Sequence, residues 1–219
     1  MADALKDKYE EELLRLPFDQ FSRQKIVKTA LERLRKNKET YKILDVGGYK
    51  GATKLFYPGD EVTVLDVFDV NEPDYLKGDG TDLPFENGSF DYVLNFDVLE
   101  HIPFKKRDSF IEECYRVSKR GAIYAAPHST PENIKAEAAM NKIYESIMHK
   151  KHQWLTEHME NTLPQRELVS KKLNALGASV IEIGSNYLPL WIQMQYSIFL
   201  AEKNYEFGEH ITEIYKAFN

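Results

Sequence analysis

A glycine-rich turn and a carboxylate further along the chain are the residues whose types and spacing best suit ligand chemistry. The run from Asp45 to Gly51 is DVGGYKG, and Asp66 follows 21 residues after Asp45. Glycines let a backbone turn sharply and approach a ligand closely. A carboxylate at the end of the next strand can accept hydrogen bonds from both hydroxyls of a ribose. Together they predict a site for a nucleoside-bearing cofactor.

The same turn indicates which cofactor it suits. A dinucleotide site needs GxGxxG, with the pyrophosphate at a helix N-terminus. Starting from Gly47 the second glycine position is Tyr49, and starting from Gly48 it is Lys50, so neither register matches. Asp45, directly before the glycines, disfavours a pyrophosphate and suits a cationic ligand such as the ammonium and sulfonium of S-adenosylmethionine. An NAD-dependent oxidoreductase is therefore disfavoured.

A sheet is needed to position these residues, and from residue 41 onward the chain has the pattern of one. Short β-rich runs alternate with helical segments at 105–117 and 164–176, which predicts a mostly parallel sheet with helices on both faces. The predicted strands are 41–46, 61–67, 75–77, 90–96, 121–126, 179–183 and 195–201.

Further helices are predicted around this sheet. Two amphipathic segments, 4–16 and 20–36, precede it, the second with its apolar face on Ile26, Val27, Ala30, Leu31 and Leu34. After the fifth strand, Ser129 or Thr130 can cap an additional helix that has Pro131 in its first turn. Its apolar face is Ile134, Met140, Ile143, Tyr144 and Ile147. This segment either covers a ligand crevice at the carboxyl end of the sheet or only decorates the fold.

Composition limits the function classes. The 219 residues carry 29 Lys plus Arg, 35 Asp plus Glu and one cysteine, so no internal disulfide can form. The net charge of −6 is concentrated in residues 41–104, which carry 4 basic and 13 acidic groups. A nucleic-acid binder usually presents a basic face, so we expect no nucleic-acid partner. We expect no leader and no membrane span, and hence a cytoplasmic protein.

The sequence resembles the class I S-adenosylmethionine-dependent methyltransferases, whose first motif is DxGxGxG. Asp45, Gly47 and Gly51 match this motif, and Tyr49 departs from it at the middle glycine. Segments 78–85, 89–93 and 98–101 are similar to the GDaxdLPFxxxsFDxV and VLEH-like signatures of the small-molecule, ubiquinone-biosynthesis-like branch. The resemblance implies that Asp79 and the amide of Gly80 contact the adenine, and that Asn95 and Phe96 lie beside the methionine part. The predicted cofactor-contacting residues are Asp45, Gly47, Gly48, Tyr49, Gly51, Asp66, Asp79, Gly80, Asn95 and Phe96.

Glu100 and His101 are the candidates for acceptor chemistry. With Asp97 they resemble an acid and histidine set that can hold a divalent metal in quinone O-methyltransferases. An oxygen-rich set with one imidazole suits magnesium or manganese better than zinc. Three roles stay open for them: metal ligands, a general base at His101, or a structural role. We expect no metal. A second metal set from His128, His149, His152 and His158 is disfavoured, because Lys150 and Lys151 lie among them.

Three aromatic residues are candidates for an acceptor pocket: His128, Trp154 and Trp191. Trp154 can stack on an anionic or sugar-like acceptor, or it can anchor the lid to the core. Trp191 is equally consistent with a pocket wall, a core position or a dimer contact.

We therefore predict one α/β domain over 1–219, a Rossmann-like class I methyltransferase fold with a seven-stranded mostly parallel sheet whose last strand is antiparallel. Its parts are an N-terminal helical cap (1–38), a cofactor-binding core (41–126), a helical lid (129–160) and the C-terminal part of the sheet (161–219). The predicted function is methyl transfer from S-adenosyl-L-methionine, with S-adenosyl-L-homocysteine as product, to an oxygen of a small-molecule or glycan-like acceptor. The alternative is a non-catalytic cofactor-binding or scaffold protein with this fold. The sequence leaves the oligomeric state open.

Overall fold

The structure is a computed structural model that describes residues 11–49, 52–184 and 187–218. Within these residues the chain forms a five-stranded sheet in the order β3-β2-β1-β4-β5, and every pair of neighbouring strands is parallel. The strands are β1 Lys42–Val46, β2 Glu61–Asp66, β3 Tyr75–Lys77, β4 Phe90–Phe96 and β5 Ser118–Ala125.

The central strands are almost continuously apolar because both faces of a parallel sheet are covered. In β1 every residue after Lys42 is buried, and Leu44 pairs in register with Thr63 on one side and Val93 on the other. One face packs on a cluster that includes Phe110 and Cys114, and the other on a cluster that includes Phe56. The core therefore lies on both sides of β1 and β4.

The strand order reverses at β1, since β2 and β3 lie on one side and β4 and β5 on the other. In open α/β sheets ligands bind at such a switch point, outside the carboxyl ends of the strands. The residues that follow β1, β2 and β4 therefore meet at one edge of the sheet.

Helices surround the sheet. In chain order they are α1 Phe18–Leu34, α2 Ala52–Phe56, α3 Arg107–Val117, α4 Pro131–Met148, α5 Gln153–Asn161, α6 Arg166–Ala175, α7 Leu188–Lys203 and α8 Tyr205–Phe218, with a 3-10 turn at Phe104–Lys106. The predicted N-terminal segments correspond to a helical stretch at 11–14 and to α1, while residues 1–10 lie outside the described part of the chain. The buried face of α1 is Phe21, Gln24, Val27 and Leu31. Leu34 was predicted on this face but is 57% exposed, because α1 ends there.

The predicted lid consists of two helices, α4 and α5, which we call the lid helices. Thr130 accepts a hydrogen bond from the amide of Asn133, and Pro131 begins α4, which confirms the predicted cap. Met140 and Tyr144 of α4, Leu155 of α5 and Phe199 of α7 form a separate buried cluster. Ile134 was predicted to share this apolar face but is 50% exposed.

Two of the seven predicted strands are wrong. Residues 179–183 are irregular, with Ile181 85% and Ile183 61% exposed, and they pair with no strand in the described residues. Residues 195–201 lie inside α7. There Trp191, Ile192, Ile198 and Phe199 face the lid cluster at positions i, i+1, i+7 and i+8, which is helical spacing. The sheet consequently has no antiparallel last strand among the described residues, and 188–203 and 205–218 are helical.

The single thiol of the chain is enclosed in the core. Cys114 on α3 is fully buried, and this burial raises the pKa of its thiol. A search of the described residues finds no helix long and apolar enough to cross a membrane.

Candidate functional site

The glycine turn after β1 is built around close contacts that only glycine permits. Gly47 has φ +82°, and a Cβ there would stand 2.4 Å from Cγ2 of Val98. A Cβ on Gly48 would stand 2.2 Å from Oδ2 of Asp45. The turn therefore folds directly over the Asp45 carboxylate. Gly51, the last predicted glycine of the turn, lies outside the described residues.

Tyr49 occupies the position where the methyltransferase motif has its middle glycine. Its φ of 28° is positive, which is unusual for a residue with a side chain. The ring is 44% exposed and packs edge-on against Phe68, with 5.4 Å between ring centroids. The backbone N–H of Tyr49 donates to Oδ2 of Asp66 over 2.9 Å. The tyrosine thus stacks at the rim of the turn while its amide ties the turn to the end of β2.

Asp45 is 1% exposed and its Oδ1 has no hydrogen-bond partner within the described chain. Burial raises the pKa of this carboxyl to about 7, against the lowering effect of a hydrogen bond with Thr53. Thr53 is in turn held by Nε2 of Gln24 on α1 at 2.7 Å. Asp45 is therefore a poorly solvated acid for which a cationic ligand nearby would favour the charged form.

Asp66 ends β2 and is 6% exposed. Besides Tyr49, it accepts a hydrogen bond from the amide of Phe68 at Oδ1, at 3.1 Å. Each carboxylate oxygen can accept more than one hydrogen bond. Both oxygens of Asp66 therefore keep capacity for a pair of ribose hydroxyls.

The segment after β3 carries the predicted adenine contacts. Oδ1 of Asp79 accepts from the amide and the hydroxyl of Thr81, at 2.9 and 2.8 Å, and Nζ of Lys106 lies 3.5 Å from Oδ2. The Thr81 amide is the main cause of the lowered pKa of Asp79, so this side chain stays ionised. A Cβ on Gly80 would stand 2.6 Å from Cε2 of Phe110, so glycine is needed where this loop crosses α3.

β4 ends at Asn95 and Phe96. Asn95 is fully buried, its Nδ2 donates to the carbonyl of Ile123 on β5, and its Oδ1 has no partner among the described residues. Phe96 packs against the cluster that contains Phe56. The unpaired oxygens of Asn95 and Asp45, with the glycine cradle above Asp45, fit a ligand that carries hydrogen-bond donors and positive charge.

Beyond β4 the chain turns through Asp97, Glu100 and His101. The Asp97 carboxylate forms an ion pair with Arg23 of α1. Burial raises the pKa of Asp97, and Arg23 opposes that rise. Glu100 is completely buried, and neither of its carboxylate oxygens has a hydrogen-bond partner in the described structure. Burial, followed by repulsion from Asp97, raises the pKa of Glu100 well above its usual value.

His101 joins this turn to the lid helices. Its Nδ1 lies 2.9 Å from Oε2 of Glu157, and its Nε2 lies 3.2 Å from Nε2 of His158. His158 is 3.1 Å from Glu137 through its Nδ1, and Nδ2 of Asn161 donates to the carbonyl of His101. Burial and the neighbouring His158 lower the pKa of His101. Both ring nitrogens of His101 are thus engaged, whereas Glu100 keeps two unpaired oxygens.

Sequence reasoning did not select four of these residues: Arg23, Glu137, Glu157 and His158. His158 was considered only in the disfavoured second histidine set, but its side chain is 11% exposed and contacts His101. The adjacent Glu157 and His158 repeat the acid and histidine pair of Glu100 and His101, which is a weak local signal. Their meeting depends on how the lid helices pack on the sheet, which a local pattern does not reveal.

The three predicted acceptor-pocket residues do not share one environment. Trp191 packs against the lid cluster around Phe199. Trp154 is 56% exposed, with its ring 6.0 Å from that of His152. His128 is exposed after β5, and partial desolvation of its ring, followed by repulsion from Arg166, lowers its pKa. Their common role in an acceptor pocket stays a prediction.

Comparison with known proteins identifies the domain. Residues 27–126 match the family model described as a methyltransferase domain. A protein named as a probable phthiotriol/phenolphthiotriol dimycocerosates methyltransferase 2, from Mycobacterium ulcerans, is 39% identical over 69 residues, or 31% of this chain and 26% of that protein. A protein named as a probable S-adenosylmethionine-dependent methyltransferase, from Mycolicibacterium smegmatis, is 36% identical over 61 residues, or 28% of this chain and 22% of that one. The matched stretch thus spans about a quarter of each relative.

Solved structures agree on the fold. Magnesium protoporphyrin IX methyltransferase from Synechocystis, solved with bound SAH, matches with a TM-score of 0.53 and 18% identity, over 76% of this chain and 78% of that one. The YcgJ protein from Bacillus subtilis matches with a TM-score of 0.52 and 14% identity, over 77% and 76%. The architecture is therefore the Rossmann-like α/β fold of class I methyltransferases, as predicted. Residues 27–126 match a methyltransferase domain and have the fold of class I methyltransferases, which confirms the resemblance seen in the sequence.

Proposed function

We propose that this protein transfers the methyl group of S-adenosylmethionine to an oxygen of a small-molecule or glycan-like acceptor. The observation that carries the proposal is the unit formed by the glycine turn and Asp66, in which the turn covers a buried Asp45 and its Tyr49 amide binds the Asp66 carboxylate. This arrangement suits a cofactor with ribose hydroxyls and a positive charge. The family match over residues 27–126 supports the same cofactor.

The position of each residue around the switch point determines which part of the cofactor it would contact. Asp66 would accept from the ribose hydroxyls, and Asp79 with the amide of Gly80 would contact the adenine. Asp45, Gly47, Gly48, Tyr49, Asn95 and Phe96 would surround the methionine part, together with Gly51. Bound S-adenosylmethionine supplies a methyl group on a sulfonium, so the protein mainly has to align the acceptor.

A small-molecule acceptor is favoured by two observations. The relative from Mycobacterium ulcerans is named for phthiotriol and phenolphthiotriol dimycocerosates, and the acidic stretch 41–104 would repel a polyphosphate. An acceptor hydroxyl must lose its proton as the methyl group arrives. Glu100 and His101 are our candidates for assisting that loss, and His128, Trp154 and Trp191 stay candidates for acceptor contacts. A cytoplasmic location is part of the same proposal.

Calorimetry with S-adenosylmethionine and S-adenosylhomocysteine tests the cofactor. We expect both ligands to bind the folded protein, and absence of binding at millimolar ligand would refute the proposal. Release of S-adenosylhomocysteine in the presence of a panel of phenols, catechols, quinols and sugars then tests the reaction. Glu100→Gln, which keeps the size of the side chain, should retain cofactor binding and lose most of the turnover.

A non-catalytic cofactor-binding protein is the second candidate. It is favoured by Tyr49 at the middle glycine position and by His101, whose ring nitrogens are both engaged. Cofactor binding by the wild type with no product from any acceptor of the panel would support this candidate over the enzyme.

A further inference from the structure

The buried Glu100 and the partly buried His101 and His158 bring three potential metal ligands together where the lid helices meet the sheet. One ligand atom of each residue lies within 4.8 Å of the ligand atoms of the other two. Two of them follow β4, and the third comes from α5. This set differs from the one suggested by sequence, because the carboxylate of Asp97 is paired with Arg23 and His158 takes its place.

The orientation of the two histidines favours a positive charge between them when Glu157 and Glu137 are ionised. Each ring uses Nδ1 to contact a carboxylate, His101 with Glu157 and His158 with Glu137. A carboxylate can only accept, so each Nδ1 carries a proton and the Nε2 of a neutral ring then presents a lone pair. The two Nε2 atoms nevertheless face each other at 3.2 Å. Two lone pairs repel at this distance unless a proton or a metal ion lies between them.

Glu100 supplies a second, independent indication of a cation-binding position. Its side chain is 0% exposed, and both carboxylate oxygens lack a hydrogen-bond partner in the described residues. The two nearby guanidinium groups have other partners: Arg23 binds Asp97 and Asp19, and Arg107 donates to the carbonyls of Ile102, Asn161 and Thr162. A buried carboxylate without a partner is costly unless it is neutralised or binds a cation.

We propose that Glu100, His101 and His158 bind one divalent transition-metal ion. Two imidazoles and one carboxylate form a donor set that suits zinc or a similar ion better than magnesium. Carboxylates that hold the far nitrogen of a ligating histidine are typical of such sites, and Glu157 and Glu137 occupy that position. Because the ligands come from both the sheet edge and α5, the ion would fasten the lid to the core. The proposal does not depend on methyl transfer.

Cobalt titration of the EDTA-treated protein tests the site, with the visible absorption of bound Co²⁺ as the readout and Zn²⁺ as the competitor. We expect one Co²⁺ per chain, displaced by Zn²⁺. His158→Gln should weaken this binding by about tenfold or more, and Glu137→Gln by about 10–100-fold, since partners of ligating histidines have effects of that size. His210→Gln, an exposed histidine on α8, is the matched control and should leave the affinity unchanged.

The possible results of the titration distinguish a bound metal ion from a proton shared between the two histidine rings. No binding by the wild type, or equal affinity in His158→Gln and His210→Gln, would overturn the proposal and leave a shared proton between the rings. If His158→Gln misfolds, Glu100→Gln keeps the side-chain shape and must still lower the affinity. S-adenosylhomocysteine calorimetry on the metal-free protein is a separate measurement, so failure of the metal site is distinguishable from failure of the proposed enzyme.

Discussion

The carboxylate of Asp45 lies directly beneath the backbone of Gly48, with no room for a side chain between them. A Cβ at position 48 would meet Oδ2 of Asp45 at 2.2 Å and Cγ1 of Val64 at 2.9 Å. Both neighbours are held by strands β1 and β2, so neither can move away cheaply. The turn and the buried acid are therefore one structural unit. Gly48→Ala changes the turn, and Asp45→Asn changes the acid.

Gly48→Ala should destabilise the fold by about 1–3 kcal/mol, the usual cost of forcing extra atoms into a packed site. It should also weaken S-adenosylhomocysteine binding, because the turn must shift to relieve the contact. Urea unfolding and calorimetry measure the two effects. The matched control is Gly59→Ala, since a Cβ at Gly59 would have nothing within 4 Å. Equal stability of the two variants would show that the turn is not tightly packed on Asp45.

Asp45→Asn should stabilise the ligand-free protein at neutral pH. Burial raises the pKa of Asp45 from 3.8 to about 7, so between these values the folded state holds a proton that the unfolded state has lost. The free energy of unfolding of the wild type therefore falls as the pH rises from about 4 to 7, by roughly 4 kcal/mol from this group. The amide side chain of the Asp45→Asn variant does not titrate. Denaturant unfolding curves of the variant, measured across this pH range, should therefore lack this decline in the free energy of unfolding. An unchanged pH dependence would contradict the prediction.

Arg23→Met should destabilise the protein by roughly 1–3 kcal/mol, because it leaves the Asp97 carboxylate without its partner. The loss stays below that of a fully buried pair, since the Asp97 side chain is 35% exposed. The double variant Arg23→Met with Asp97→Asn should lose less stability than the sum of the two single variants. Chemical denaturation of all four proteins gives the coupling. Additive losses would mean that the pair does not fasten α1 to the crevice.

Asp66→Ala should weaken S-adenosylhomocysteine binding by about 1–3 kcal/mol, the scale of leaving ligand hydroxyls unpaired. Part of the loss would come from the Tyr49 and Phe68 amides, which also bind this carboxylate. Calorimetry provides the affinity, and Asp69→Ala, an exposed acid of the same loop, is the control. If both variants bind as the wild type does, Asp66 is not the ribose partner.

The sequence was sufficient to predict that the first five strands exist, because most are short apolar runs bounded by turn residues, although β5 begins at Ser118, before the predicted start at residue 121. It failed for α7, where residues 195–201 were predicted as a strand but lie in a helix that begins at Leu188, has Pro189 in its first turn and repeats its apolar residues at helical spacing. The acids and glycines of the cofactor site follow local motifs and could be selected from sequence. Contacts such as His101 with His158, 57 residues apart, depend on how the lid packs and have no local pattern.

The single thiol of the chain provides a probe of unfolding that needs no engineering. Cys114 is 0% exposed and its pKa is raised, so a thiol reagent, which attacks the thiolate, reacts with it only when the surrounding core opens. The rate of labelling under native conditions therefore reports how often that core opens. The same reaction can follow every variant described above, and no second cysteine competes for the reagent.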